Sequence, residues 1–156
     1  MREILFRGKR VFNGEWVHGY YVRQQNCHEI EVKNYVTGEC FDRYSVVPET
    51  IGQFTGLYDK NGKRIFEWDI VKYKTAYRFT GNEDLEEFGN ENPDRIDECI
   101  EVVKWSEKGC CFTPAPKRVD CEDYWYSYGT YDFEIIGNIH DNPEFLEVKI
   151  ECSSVN

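Results

Sequence analysis

Seven cysteines, three histidines and twenty-nine acidic side chains are the groups through which this 156-residue chain could do chemistry. Cys27-His28 with Cys40 could supply three metal ligands, and Cys110-Cys111 with Cys121 a second set. Neither set has the CxxC spacing of a structural zinc site, and scattered thiols commonly serve as small buried apolar groups. No metal or cofactor is expected. His18 stands among aromatics in Trp16-Val17-His18-Gly19-Tyr20, where it could exchange protons. No carboxylate or nucleophile adjoins it, so it reads as a packed strand histidine. Glu67 and Asp69 have the residue types of an acid–base pair, but such pairs abound in a chain this acidic. GxSxG, HExxH, Walker A and a GxGxxG in strand–helix context are all absent. An enzyme would need folding to gather carboxylates around His18 or His140, and the expectation is that the chain is not one.

The residues best suited to binding are aromatic. Asp123-Tyr124-Trp125-Tyr126-Ser127-Tyr128-Gly129-Thr130-Tyr131 places Tyr124, Trp125, Tyr126, Tyr128 and Tyr131 in one short run. Such rings can stack on bases or sugars, or line a subunit or partner contact. Charge favours the contact: residues 1–75 hold 12 Lys+Arg against 10 Asp+Glu, and residues 76–156 hold 7 against 19. An acidic surface repels nucleic-acid phosphate and suits a protein partner. Arg2, Arg7, Lys9 and Arg10 form the one cationic cluster that could carry the alternative, a nucleic-acid-associated accessory factor. Residues 82–98 hold eight acids and one arginine, which reads as a solvated excursion rather than a DNA-mimicking or docking loop. The aromatic run also favours self-association.

The elements that must position these residues are strands. Val, Ile, Tyr, Phe, Trp and Thr exceed a third of the chain, whereas Ala and Leu together number six, which excludes a mostly helical fold. Alternating runs predict strands near 3–7, 16–22, 29–33, 65–73, 100–105, 110–113 and 131–139. Asn13-Gly14 and Asn61-Gly62 predict tight hairpins, the first of type I′. Gly52 and Gly56 predict an irregular connector over 47–57. Ile4, Phe6, Trp16, Ile65, Ile70, Val102, Trp105, Phe133 and Ile135 are the expected core. No apolar run is long enough to span a membrane. Met1-Arg2-Glu3-Ile4-Leu5-Phe6-Arg7 does not read as a secretory signal, and an odd number of cysteines fits a reducing cytoplasm.

Val47-Pro48-Glu49-Thr50-Ile51-Gly52-Gln53-Phe54-Thr55-Gly56-Leu57, followed by Asp59-Lys60-Asn61-Gly62-Lys63-Arg64-Ile65-Phe66-Glu67-Trp68-Asp69-Ile70-Val71, resembles the core signature of the YopX family of bacteriophage and prophage proteins. Arg2-Glu3-Ile4-Leu5-Phe6-Arg7-Gly8-Lys9 with Gly14-Glu15-Trp16-Val17-His18-Gly19 is similar to its opening, and residues 134–146 to its ending. The sequence departs from that pattern at Trp68, where the family usually has Gly, which implies that positive φ is not obligatory there or that the turn is altered. Composition and strand pattern predict a mainly β fold with a small N-terminal β meander over 1–50, and the resemblance implies an SH3-like β-barrel over 51–150. An acidic insertion at 76–98 interrupts the barrel, and 151–156 form a tail. It implies no catalytic residue. The expected role is a non-enzymatic binding module for a host or phage protein in the bacterial cytoplasm.

Overall fold

The structure, a computed structural model, describes residues 3–33, 41–77, 95–107, 109–114 and 133–145. Their strands are β1 (Phe6–Lys9), β2 (Trp16–Gln24), β3 (Cys27–Lys33), β4 (Phe41–Ser45), β5 (Gly52–Tyr58), β6 (Arg64–Phe66), β7 (Asp69–Tyr77), β8 (Arg95–Ser106), β9 (Cys111–Pro114) and β10 (Glu134–Asn138), with a single 3₁₀ turn at Pro48–Thr50. The fold is mainly β. A six-stranded sheet runs β4-β3-β2-β1-β5-β6 and a four-stranded sheet β10-β7-β8-β9, with every pairing antiparallel. Among the described residues neither sheet closes into a barrel by continuous strand pairing, so the closure implied by the resemblance is not seen. One isolated bridge, Arg10↔Val46, returns the chain after β4 to β1.

The first sheet bends around Val17, Ile30 and Val46, with Phe6, Tyr21, Val32, Tyr44 and Ile51 against them. Strand alternation places Trp16, His18 and Tyr20 together on the opposite, wetter face of β2, while Val17 and Gly19 face inward. The second core holds Ile65, Val71, Val103, Phe112 and Phe133, flanked by Leu57, Tyr73 and Ile135. It joins strands from both sheets, because Leu57 and Ile65 sit on β5 and β6.

Four expectations are corrected. Residues 52–58 form a strand rather than an irregular connector. Gly52 lets β5 start beneath β6, since a Cβ there would meet the Glu67 carbonyl oxygen at 2.7 Å. Gly56 takes φ +91° where the pairing of β5 with β6 shifts register, so the glycine marks a bulge. The acidic excursion does not extend to 98: β7 runs to Tyr77, which pairs with Arg95, and 95–98 belong to β8. The rest of that segment, 78–94, lies outside the described residues. In both Asn-Gly turns only the glycine has positive φ, +71° at Gly14 and +77° at Gly62, so the first is not type I′. Asn13 instead accepts the Glu15 N–H at 3.1 Å through its side chain. Ile65, Ile70, Val102 and Phe133 are buried as expected, while Ile4 is 60% and Trp105 47% exposed. Ile4 precedes the first strand, and Trp105 lies near the β9 end of its strand, past the cover of the core.

Candidate functional site

Three consecutive residues, Glu67-Trp68-Asp69, turn β6 into β7 and fasten one sheet to the other. Asp69 is 2% exposed, and its Oδ1 lies 2.7 Å from Nη2 of Arg7 on β1. Its Oδ2 accepts the Phe66 N–H at 2.8 Å. Arg7 donates a second bond from Nη2 to the Glu67 carbonyl oxygen at 2.9 Å. The Arg7 guanidinium carbon stands 4.7 Å from the Trp16 ring centroid and 5.0 Å from that of Phe66. A planar cation between aromatic faces, held by a carboxylate, is a closed arrangement suited to arginine. Burial pushes the Asp69 carboxyl up, against the opposing pull of Arg7 and the Phe66 N–H. An ion pair shut off from water bears that desolvation cost.

Trp68 has φ +70°, in the left-handed region that glycine favours. Positive φ is therefore kept at this turn with a tryptophan side chain. The surroundings hold it there. Its N–H donates to the Val103 carbonyl at 2.9 Å, and its own carbonyl accepts the Ile139 N–H at 3.0 Å. The indole Nε1 donates to the Ile51 carbonyl at 3.1 Å. Backbone strain of this kind costs about 1 kcal/mol and persists where neighbours over-determine it.

The turn after β10 closes the same junction from the other side. Asp141 Oδ2 accepts Trp16 Nε1 and Asn138 Nδ2, each at 2.7 Å, and Asp141 pairs with Lys9. These donors and the Lys9 charge outweigh partial burial and draw the Asp141 pKa down to about 2. Desolvation lowers His140, helped by Lys9 and Arg7, and lowers His18, helped by Arg7 and Arg64. His18 packs on Phe66 with ring centroids 5.3 Å apart. Asp59 caps the β5–β6 turn: its Oδ1 accepts the Asn61 and Lys63 N–H groups at 2.9 and 2.8 Å, and its Oδ2 accepts Ile135 N–H at 3.3 Å. Desolvation acts to raise Asp59, but these hydrogen bonds prevail and lower its pKa.

Beside this junction lies an open cleft of about 340 Å³, lined by Gln53, Glu67, Trp105 and Phe112. Its walls come from both sheets. Trp105 and Phe112 face each other across β8 and β9, with ring centroids 5.0 Å apart. Glu67 Oε2 accepts the Gln53 N–H at 2.9 Å. Among the described residues no lysine or arginine forms an ion pair with Glu67.

The cationic cluster read from the sequence is not an open patch. Arg7 is paired with Asp69, Lys9 with Asp141, and Arg10 with Glu15 at 3.6 Å, its guanidinium 3.7 Å from the Tyr44 centroid. Arg2 lies outside the described residues, as do Tyr124, Trp125, Tyr126, Tyr128 and Tyr131. Among the described residues no three metal-ligating side chains come together. Cys27 and Cys110 are exposed, and Cys99 and Cys111 are half-buried. The Trp105 cleft was missed from the sequence, because the alternation that placed Trp105 on the core face says nothing about where the core ends.

Comparison with known proteins gives one family and a distant structural likeness. The family model described as YopX protein matches residues 5–147. No curated protein matches the chain. Among solved structures, protein EF1440 from Enterococcus faecalis is 19% identical, with a TM-score of 0.48, over 94% of this chain and 99% of that one. No helix among the described residues is long and apolar enough to cross a membrane.

Proposed function

The chain belongs to the YopX family, and from that premise we propose that it is a non-enzymatic protein-binding module, a phage or prophage accessory protein that engages a host or phage protein in the bacterial cytoplasm. In this reading the second sheet, with β5 and β6 against it, is the SH3-like part of the chain. The observation that carries the proposal is the cleft between the sheets. A tryptophan 47% exposed stands there over a buried phenylalanine, in an otherwise polar-lined groove of about 340 Å³. Large rings left half in water at a concave site are favoured anchors for protein partners. The pairing of Arg7, Lys9 and Arg10 with carboxylates supports a protein ligand over nucleic acid, which needs free cations to displace counterions.

The test is capture from nuclease-treated bacterial lysate by the immobilised chain, beside the Trp105→Ala variant. A partner protein retained by the parent chain and lost from the variant is the expected result. A gel shift with DNA or RNA that weakens steeply with salt, and no Trp105-dependent protein, would overturn the reading.

A further inference from the structure

Resting on that reading, we propose that the Trp105 cleft takes an arginine side chain of the partner, its guanidinium set between the Trp105 ring and the Glu67 carboxylate. The molecule contains the filled version of this arrangement a short way off. Arg7 lies 4.7 Å from one aromatic centroid and 5.0 Å from another, with a carboxylate oxygen at 2.7 Å. Among its described lining residues the cleft offers the same two partners, an indole and a carboxylate, and no lysine or arginine.

Charge complementarity points the same way. Glu67 spends one oxygen on the Gln53 N–H and forms no ion pair among the described residues, and the chain as a whole carries a net charge of −10. Of the described cations nearby, the Arg7 guanidinium, 2.9 Å from the Glu67 carbonyl oxygen, is held by Asp69, and Lys104 adjoins Trp105 in sequence and so points to the opposite face of β8. Its Nζ stands 5.9 Å from the Trp68 centroid instead. A guanidinium fits better than an ammonium because it is flat, stacks on a ring and still directs N–H groups sideways to a carboxylate. Phe112 braces the Trp105 ring edge to face, at an interplanar angle of 72°, which keeps the indole oriented before a ligand arrives.

The experiment is a titration of the full-length ¹⁵N-labelled chain with N-acetylarginine amide, beside N-acetylcitrulline amide, its uncharged isostere. The Trp105 indole resonance is identified by its loss in Trp105→Phe. Arginine amide is expected to shift the Trp105 indole and the Gln53 and Glu67 amides saturably. Citrulline amide should act about fivefold more weakly. Glu67→Gln keeps an acceptor for the Gln53 N–H and should show about the same fivefold loss toward arginine. Equal shifts from both probes, shifts elsewhere only, or an unaffected Glu67→Gln variant would overturn the proposal. Partner capture that still depends on Trp105 would then leave the protein-binding reading standing, whereas capture indifferent to Trp105 removes the site altogether.

Discussion

The junction at Asp69 and the cleft at Trp105 use the same residue types to opposite ends. At the junction, Trp16, Phe66 and Asp69 surround a guanidinium from the chain itself, and Asp69 is 2% exposed. At the cleft, Trp105, Phe112 and Glu67 leave an open volume of about 340 Å³. Glu67 and Asp69 are separated by one residue, yet one carboxylate is locked into holding the sheets together and the other accepts the Gln53 N–H at the lining of the groove. Aromatic–carboxylate clusters are therefore not functional or structural by composition. What decides is whether the fold brings a cation of its own.

The sharpest way to break the comparison is at Asp69. Asp69→Ala strands the Arg7 charge in a buried place, and should cost about 3–5 kcal/mol in urea unfolding. The double variant Arg7→Met/Asp69→Leu should recover most of that loss, because no unpaired charge remains. If Asp69→Ala unfolds like the parent chain, the junction is not what holds the sheets.

The two aromatics expected to share a core separate next. Phe133 is buried, and Phe133→Ala should cost about 3 kcal/mol. Trp105→Ala should cost about 1 kcal/mol at most, because nearly half of the residue is already in water. Equal losses in thermal unfolding would place Trp105 in the core and close the cleft.

Acid sharpens the junction side. The Asp141 pKa is depressed to about 2, so its stabilisation is present above the ordinary carboxylate pKa and is lost as pH falls through about 2. The side chain is 37% exposed, so screening limits the contribution to about 1 kcal/mol. Asp141→Asn should be less stable than the parent by that amount at pH 6, and the difference should vanish near pH 2. A gap constant across a series of unfolding curves from pH 6 to 2 would remove the charge from the explanation.

The smallest effect belongs to the strained hinge between the two regions. Trp68→Gly relieves the positive φ but gives up the indole bond to Ile51, and should change stability by less than about 0.5 kcal/mol. Trp68→Ala gives up the indole and keeps the strain, so it should fall about 1 kcal/mol below Trp68→Gly. Equal stabilities would mean that the φ of +70° costs nothing.

Much of the fold was legible where alternation is strong. The runs around 16–22, 29–33 and 100–105 form strands, and the run 65–73 forms parts of two, β6 and β7, on either side of the Glu67-Trp68 turn, because an apolar–polar period of two presents one face to a core wherever that core lies. The sequence pattern over β5 suggests a connector because Gly52 and Gly56 look like loop punctuation. They are instead a close approach and a bulge inside a sheet. Of the candidate site, the Glu67-Trp68-Asp69 turn stood out through family resemblance, but its chemistry did not, since Arg7 lies sixty residues before Glu67.

The sequence by itself determined that the chain is β-rich, where most strands run, that Asn-Gly pairs turn the chain, and to which family it belongs. These are properties of neighbouring residues, set by side-chain period, turn chemistry and local pattern. Tertiary structure alone decided that Arg7 meets Asp69, that Trp68 is held at positive φ by Val103, Ile139 and Ile51, and that Trp105 ends up at a cleft. Each depends on which strands become neighbours across the two sheets. That choice comes from the summed burial of distant segments, and no local window of the sequence contains it.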